Sequence, residues 1–240
     1  MNVIEISDLT KKYKDKIAVD KLNLKIKHGE LFALLGTNGA GKTTTIKMLT
    51  GLVEPTSGNI KILGLDIRKY SAEIKSKINV SPQETAIAPN LTVYENLDFM
   101  AGVYQINNKS KKIAELIKDF KLESIKNQKA KTLSGGLQRR LSIALALVND
   151  PEILFLDEPT LGLDVIARKE LWRLIECLKG KITIILTTHY MEEAESLSDR
   201  IGIMKNRKIV EVGTAKELIR KAKTKNFEDA FVKIATGEEK

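Results

Sequence analysis

The sequence predicts an α/β fold in which a parallel core sheet is joined to an inserted helical region. Three short, continuous apolar runs are typical of strands buried inside a parallel sheet: residues 31–35, 153–156 and 182–186. Residues 168–178 have apolar side chains at helical spacing between the last two runs, as a crossover helix would. Residues 91–149 change to helical patterns. Strands and helices that alternate in this way indicate an α/β core with an insertion.

The N-terminal third contains further strand patterns. Residues 3–6 open one predicted strand, and residues 22–26 alternate apolar and polar side chains in a second. Ile60 and Ile62 mark another strand after the turn at residues 54–58.

Three helices are predicted in the inserted region. Thr92 and Glu95 have the spacing of a capping box, which predicts a helix running toward Gln105. Residues 111–120 carry a second apolar stripe at helical spacing. Residues 137–148 form the third predicted helix, which the following Asn-Asp-Pro sequence ends.

The composition indicates a globular chain without a membrane span. Hydrophobic residues make up 42% and charged residues 30% of the 240 positions. No apolar run approaches the roughly 18–20 residues that cross a bilayer. The first ten residues alternate and include acids, so we expect no signal peptide there. We therefore expect a cytoplasmic location unless a partner recruits the chain to a membrane.

Cysteine and histidine are scarce. The single cysteine, Cys177, excludes an internal disulfide and a cysteine cluster for zinc. Its spacing from neighbouring leucines predicts a buried structural thiol. Two histidines are too few for a histidine-rich metal site, so any metal must have oxygen ligands.

The net charge of +9 permits contact with nucleic acid or anionic lipid. However, no basic run is interleaved with aromatic residues, as a platform for single-stranded nucleic acid would require. We favour a solvated basic surface, with attraction to an acidic membrane surface as the main alternative.

Residues 36–43 match the P-loop pattern GxxxxGK[ST] between a buried strand and a predicted helix. The glycines let backbone amides turn toward phosphate oxygens, and the helix N-terminus adds its dipole. Lys42 would contact the outer phosphates and Thr43 would offer a hydroxyl to Mg²⁺. The predicted phosphate-binding residues are Gly36, Thr37, Asn38, Gly39, Ala40, Gly41, Lys42, Thr43 and Thr44.

Two carboxylates follow the apolar run at residues 153–156. They are expected at the C-terminal tip of a strand, where parallel sheets bind ligands. Asp157 is placed to hold Mg²⁺, and Glu158 to orient or deprotonate the attacking water. Without the P-loop upstream, these acids would indicate only a solvated strand end.

Residues 133–136 have the sequence Leu-Ser-Gly-Gly before a predicted helix, which supplies a hydroxyl and backbone amides for an anion. A plain helix cap would explain this segment alone. Yet four motifs occur in a fixed order along the chain: the P-loop, LSGG, LFLDEPT at residues 154–160 and TTH at residues 187–189. In this combination the sequence resembles an ATP-binding cassette (ABC) ATPase over nearly the whole chain.

The resemblance implies the fold, the cofactors and the domain limits. The expected fold is that of a P-loop NTPase with a RecA-like parallel core sheet, an N-terminal antiparallel β subdomain and an inserted α-helical subdomain at about residues 85–149. Residues 1–220 would form the nucleotide-binding domain and residues 221–240 a short tail. ATP and Mg²⁺ are the implied cofactors.

The resemblance also implies roles for single residues. Tyr13 would stack on adenine, the alternative being a core tyrosine. Gln83 would contact Mg²⁺ and sense the membrane partner, or be an ordinary loop residue. His189 would hold the γ-phosphate geometry, although lone histidines are usually structural. Asp164 would bridge the two subunits of a dimer. In that dimer, the ATP of the partner subunit would face Leu133, Ser134, Gly135 and Gly136.

Two positions depart from the family pattern. The glutamine usual directly after LSGG is replaced by Leu137, with Gln138 next, so its usual contact is in doubt. Thr37 replaces a frequent proline, and we expect no consequence because its side chain points away from phosphate.

The resemblance further implies an ATP-dependent head-to-tail homodimer at the cytoplasmic face of the cell membrane, driving integral membrane permease subunits on another chain. Residues 227–231 resemble the tail of stand-alone bacterial exporters, so export is favoured. The alternative is an ABC-type ATPase acting on nucleic acid or the ribosome, but the short interval between P-loop and LSGG favours transport, and no nucleic acid is expected.

Residues 84–97 are unusually apolar for a loop next to Gln83. We expect this segment to dock the membrane partner. The alternative is a buried connection.

Overall fold

The computed structural model describes residues 1–237 and divides them into two compact units. The first unit combines residues 1–75 with the described residues from 179 onward, and the second spans Ser76–Leu178. The strands are β1 (Asn2–Tyr13), β2 (Lys16–Lys27), β3 (Leu31–Gly36), β4 (Ser57–Ile62), β5 (Leu65–Asp66), β6 (Ile78–Ser81), β7 (Ile153–Asp157), β8 (Thr183–Thr188), β9 (Arg200–Lys205) and β10 (Lys208–Gly213). The helices are α1 (Lys42–Leu49), α2 (Ser71–Lys77), α3 (Val93–Val103), α4 (Lys109–Asp119), α5 (Gly135–Ala146), α6 (Val165–Glu176), α7 (Met191–Leu197), α8 (Ala215–Ala222) and α9 (Phe227–Thr236). Among residues 1–237, no helix has the length and hydrophobicity needed to cross a membrane.

The N-terminal strands of the first unit form an antiparallel sheet in the order β2-β1-β4-β5. Ile4 pairs with Ile26 on one side and with Ile62 on the other, so three predicted strands meet in one register. All three side chains are buried, because alternate residues of each strand point to the same face. The predicted antiparallel β subdomain is confirmed.

The first unit also contains strands of the core sheet. β3 pairs in parallel with β8 and with β9, and every residue of β3 and β8 is buried. The continuous apolar runs therefore form interior strands, as predicted. At the edge, β10 pairs antiparallel with β9, so the sheet is mixed rather than purely parallel.

The second unit contains the parallel pair β6 and β7 and the helices α3 to α6. Thr92 and Glu95 form the predicted capping box at the start of α3. The hydrogen bond from the Thr92 backbone N–H lowers the pKa of the Glu95 carboxyl, with the Thr92 side chain contributing next. α3 ends at Val103, before the predicted Gln105, because Gln105 adopts a left-handed φ of 53°.

The predicted burial of Cys177 is wrong. The thiol is exposed, at the C-cap of α6. The buried side of α6 contains Leu171, Trp172, Leu174 and Ile175. At about 100° per residue, Cys177 falls outside the arc that these residues define.

Candidate active site

The P-loop connects β3 to α1 through a tight backbone turn. Gly41 has a φ of 106°, and a Cβ atom at this position would lie 2.5 Å from the carbonyl oxygen of Ala18. Only glycine fits such a conformation and such a close approach. No side chain caps the start of α1, so its first turn is open to an anion.

Lys42 is almost completely buried beside this turn, with 5% of its surface exposed. Its Nζ atom donates hydrogen bonds to the carbonyl oxygens of Gly36, at 2.7 Å, and Thr37, at 3.3 Å. The ammonium group is thus held inside the loop that would surround the phosphates. Thr43 and Thr44 follow it, both half-buried.

His189 lies at the same edge of the sheet as the P-loop. Leu35 of β3 pairs with Thr188 of β8, so Gly36, which ends β3, and His189, which follows β8, lie at neighbouring strand ends. The His189 ring packs on Tyr190 at a centroid distance of 4.1 Å, and the Tyr190 N–H donates to the Thr188 hydroxyl. The structure therefore brings the P-loop and His189 together within the first unit.

Tyr13 ends β1 and is 46% exposed, so the alternative of a core tyrosine is wrong. The Nζ atom of Lys11 lies 4.9 Å from the centre of its ring. The ring is available for stacking on a planar group.

The second unit holds the two carboxylates at the end of β7. Asp157 is 4% exposed and Glu158 is 6% exposed. Glu158 has a φ of 49°, which is the left-handed region that non-glycine residues rarely adopt. Burial and backbone strain at an acidic residue are features that concentrate at functional sites.

Gln83 comes from the neighbouring strand end of the same unit. Ser81, the last residue of β6, pairs with Leu156 of β7. Gln83 lies two residues beyond Ser81 and is exposed. The structure thus places Gln83 and Asp157 at one edge of the β6–β7 pair.

The LSGG segment begins α5. The Ser134 hydroxyl is the N-cap acceptor for the Leu137 N–H, and Ser134 and Gly135 are exposed whereas Leu133 is buried. Gln138 donates from Nε2 to the carbonyl oxygens of Ala130 and Leu133. In this chain the shifted glutamine therefore supports the loop that precedes the LSGG segment.

Asp164 caps the next helix. Its Oδ1 atom accepts from the N–H groups of Ile166 and Ala167, both at 2.9 Å. The preceding Leu161 and Gly162 are exposed. Asp164 thus has a structural role within its own chain, in addition to any contact across a dimer.

Two buried polar residues of the second unit were missed from the sequence. Arg139 donates to the carbonyl oxygens of Pro82 and Gln83, and Asn96 contacts the backbone at Ala88, Leu91 and Thr92. Arg139 lies three and four residues before Ser142 and Ile143, which are buried on the same helix. An arginine within a buried helical stripe was the available signal.

The candidate metal ligands are all oxygen donors: the Thr43 hydroxyl, the Gln83 side-chain oxygen and the Asp157 carboxylate. Mg²⁺ prefers one or two carboxylates together with substrate phosphates. No group of three or more histidine, cysteine or acidic side chains that could hold a metal occurs within residues 1–237. Each of these oxygen donors is thus of the chemical type that Mg²⁺ accepts.

Comparisons with known proteins agree with this geometry. The family model described as ABC transporter matches residues 19–161. The chain is 40% identical to the probable multidrug ABC transporter ATP-binding protein YbhF of Escherichia coli (strain K12), over 97% of this chain and 41% of that protein. The Nod factor export ATP-binding protein I of Rhizobium etli is 40% identical over 91% of this chain and 70% of its own length.

A solved structure gives the same result at the level of the fold. It is described as a dimeric, post-hydrolysis state of the ATP-binding cassette MJ0796 bound to ADP and Pi. It matches with a TM-score of 0.79 and 29% identity, over 88% of this chain and 98% of that one. The chain spans only about two fifths of the length of YbhF. Because the family model covers more than half of a chain whose P-loop, paired acids and LSGG helix are all in place, this chain belongs to the ABC transporter family.

Proposed function

We propose that this chain binds and hydrolyses ATP and thereby drives transport through a membrane-spanning partner on a separate polypeptide. The observation that carries the proposal is the buried Lys42 ammonium, which is held inside a P-loop at the end of a buried strand. A fixed cation beside a glycine-rich loop, whose backbone amides can turn toward phosphate oxygens, is the arrangement that binds nucleotide phosphates. Membership of the ABC transporter family supports the link to transport.

Residues 36–44 would bind the phosphates, and Tyr13 would stack on the adenine ring. Thr43, Gln83 and Asp157 would hold Mg²⁺, which when bound neutralises charge on the phosphate oxygens. The exposure of Tyr13 and the all-oxygen donor set support these assignments.

Glu158 would accept a proton from the attacking water, and His189 would hold the γ-phosphate in place. Burial supports the role of Glu158, because a carboxylate in a water-poor site is a better-directed base than one on the surface. The pairing of β3 with β8 supports the role of His189, since Leu35 before the P-loop and Thr188 before His189 are paired residues of neighbouring strands.

Two copies would form a head-to-tail dimer that closes on ATP. The exposed Ser134 and Gly135 at the start of α5 would contact the partner's ATP together with Leu133 and Gly136, and Asp164 would bridge the subunits. A helix N-terminus is a suitable anion site. The dimeric MJ0796 structure, at 29% identity, supports this assembly.

The membrane partner would be an integral permease, and the chain would work at the cytoplasmic face of the membrane as part of an exporter. The names of the relatives, which refer to multidrug transport and Nod factor export, support this choice over action on nucleic acid. Residues 84–97 would form the docking segment. Within it Ala86 is exposed, and Ile87 and Leu91 are half-buried.

We further propose that residues 1–220 form the nucleotide-binding domain, with a helical subdomain at about residues 85–149. Residues 221–240 would form the tail, of which 238–240 lie outside the described residues. α9, which lies in the tail, packs on α8, which lies mostly before residue 221.

The test is to purify the chain, measure ATP hydrolysis, and co-express it with the multi-span proteins encoded beside its gene. We expect hydrolysis that requires Lys42, and recovery of the chain in the membrane fraction only with the correct partner. A chain that hydrolyses ATP yet stays out of the membrane with every neighbouring gene product would contradict the transport assignment but not the ATPase assignment.

A further inference from the structure

Arg139 connects the LSGG helix to the backbone at Gln83. Its guanidinium is buried, with 4% of the residue exposed. Nη1 donates to the carbonyl oxygen of Pro82 and Nη2 donates to that of Gln83, both at 2.6 Å. One planar group therefore holds two consecutive peptide carbonyls, which is a geometry that lysine cannot reproduce.

A second link runs from the same helix to the strand before this loop. The hydroxyls of Ser142 and Ser81 lie 2.9 Å apart and are both buried. Ser142 is three residues beyond Arg139, on the same side of α5. The strand end and the start of the loop are thus attached to successive turns of one helix.

The far end of the loop is held by α3. Asn96 is 3% exposed; its Oδ1 accepts from the Ala88 N–H, and its Nδ2 donates to the carbonyl oxygens of Ala88, Leu91 and Thr92. Residues 84–87 therefore lie between two buried polar anchors. Leaving such a buried donor unsatisfied is costly, so movement of α5 should carry the Gln83 backbone with it.

We propose that Arg139 is a positioning residue that couples the two nucleotide sites of the dimer through the Gln83 backbone. Ser134 at the start of α5 would face the partner's ATP. Five residues further along, Arg139 holds the backbone of Gln83, whose side chain would contact the subunit's own Mg²⁺. Displacement of α5 when the partner's ATP binds would then shift Gln83 at the subunit's own site. This inference rests on the proposed ATP-driven dimer.

The alternative is that Arg139 only stabilises the second unit. The two roles differ in one measurable respect. A residue that acts through Gln83 has no further effect on Mg²⁺ use once the Gln83 side chain is removed, whereas a purely structural residue has the same effect in either background.

The experiment uses the Glu158→Gln chain, in which ATP-driven dimers accumulate, and measures the Mg²⁺ concentration for half-maximal dimer formation by gel filtration at saturating ATP. Gln83→Ala and Arg139→Lys should each raise this concentration about two- to ten-fold. The double variant should need no more Mg²⁺ than Gln83→Ala alone. Arg140→Lys is the matched control, because Arg140 is the next residue of α5 and pairs with Glu170 instead.

A second readout does not depend on dimers. Hydrogen exchange of the amides at residues 83–88 should be faster in Arg139→Lys than in the parent chain, and unchanged in Arg140→Lys. If the lysine variant does not fold, Arg139→Gln replaces it, because a neutral amide can donate to one carbonyl without leaving a buried charge unsatisfied.

Each outcome decides the inference. Equal increases in the Mg²⁺ requirement with and without Gln83, or unchanged exchange at residues 83–88, would overturn it while the proposed function stands. If the Glu158→Gln parent binds ATP but forms no dimers at any Mg²⁺ concentration, the dimer proposal is wrong and the coupling between sites is wrong with it.

Discussion

The Nζ atom of Lys42 lies 2.7 Å from the carbonyl oxygen of Gly36, the first residue of its own P-loop. This contact keeps the ammonium group at the centre of the loop, because a buried cation must satisfy its donors with whatever acceptors are near. Phosphate oxygens would provide stronger, charge-assisted acceptors at the same place. The hydrogen bond to Gly36 therefore holds the Lys42 ammonium in position for a phosphate group, which can then replace the carbonyl as its acceptor.

Lys42→Ala should abolish ATP binding at concentrations that saturate the unmodified chain. Loss of a charged hydrogen-bond donor should weaken binding by about 100-fold, as calorimetry would measure. Lys47→Ala is the control, since Lys47 is an exposed lysine on the same helix. Unchanged affinity in Lys42→Ala would mean that residues 36–44 are not the phosphate site.

Glu158→Gln should retain ATP binding but lose about 100- to 10,000-fold in turnover, because an amide cannot accept the proton of the attacking water. The ATP-loaded variant should elute as a dimer in gel filtration. Glu152→Gln is the matched control, since Glu152 lies just before β7 and pairs with Lys77 at the surface. Undiminished hydrolysis would assign the base elsewhere, with His189 the next candidate.

Ile87→Glu and Leu91→Glu should leave ATP hydrolysis by the isolated chain intact but reduce its recovery with the membrane partner. A charge in an apolar contact would have to be desolvated on docking. Val210→Glu, on the edge strand β10, is the control for an added surface charge. If both variants at the proposed docking segment co-purify with the partner normally and support transport, the partner binds elsewhere.

Ser134→Arg and Lys42→Ala should each be inactive alone but should restore ATP-dependent dimers when mixed. In a head-to-tail dimer one site then combines both defects, while the other joins an intact P-loop to an intact LSGG segment. Dimerisation is the readout, because hydrolysis can require two working sites. If Ser134 acted within its own chain, every site would keep one defect, and mixing would recover nothing even after proven subunit exchange.

Local patterns were sufficient to predict much of the fold. The run at residues 31–35 is continuously apolar, which predicts a strand that is buried on both faces. The capping box of Thr92 and Glu95 predicted the start of α3. Helix ends were less predictable, because they depend on single backbone conformations such as that of Gln105. Cys177 was mispredicted as buried because apolar residues of α6 surround it in sequence, although it falls outside the arc that the buried side chains define.

The candidate site was predictable where its residues are adjacent in sequence, as in the P-loop. The Arg139 contacts were not, because 56 and 57 positions separate the arginine from its two carbonyl acceptors. Every residue has a backbone carbonyl, so no sequence motif indicates which carbonyl accepts a hydrogen bond from a distant side chain. The left-handed conformation of Glu158 is similarly invisible, since glutamate has no preference for it.

The backbone of Glu158 has a further consequence for laboratory evolution. A left-handed glutamate costs about 1–2 kcal/mol relative to an ordinary conformation. Glycine and asparagine adopt that conformation more readily. Selection for heat resistance alone should therefore enrich glycine or asparagine at position 158. The selected variants should gain thermal stability and lose ATP turnover. The residue found at position 158 would therefore show whether a stabilised variant had been selected for thermal stability alone or also for ATP hydrolysis.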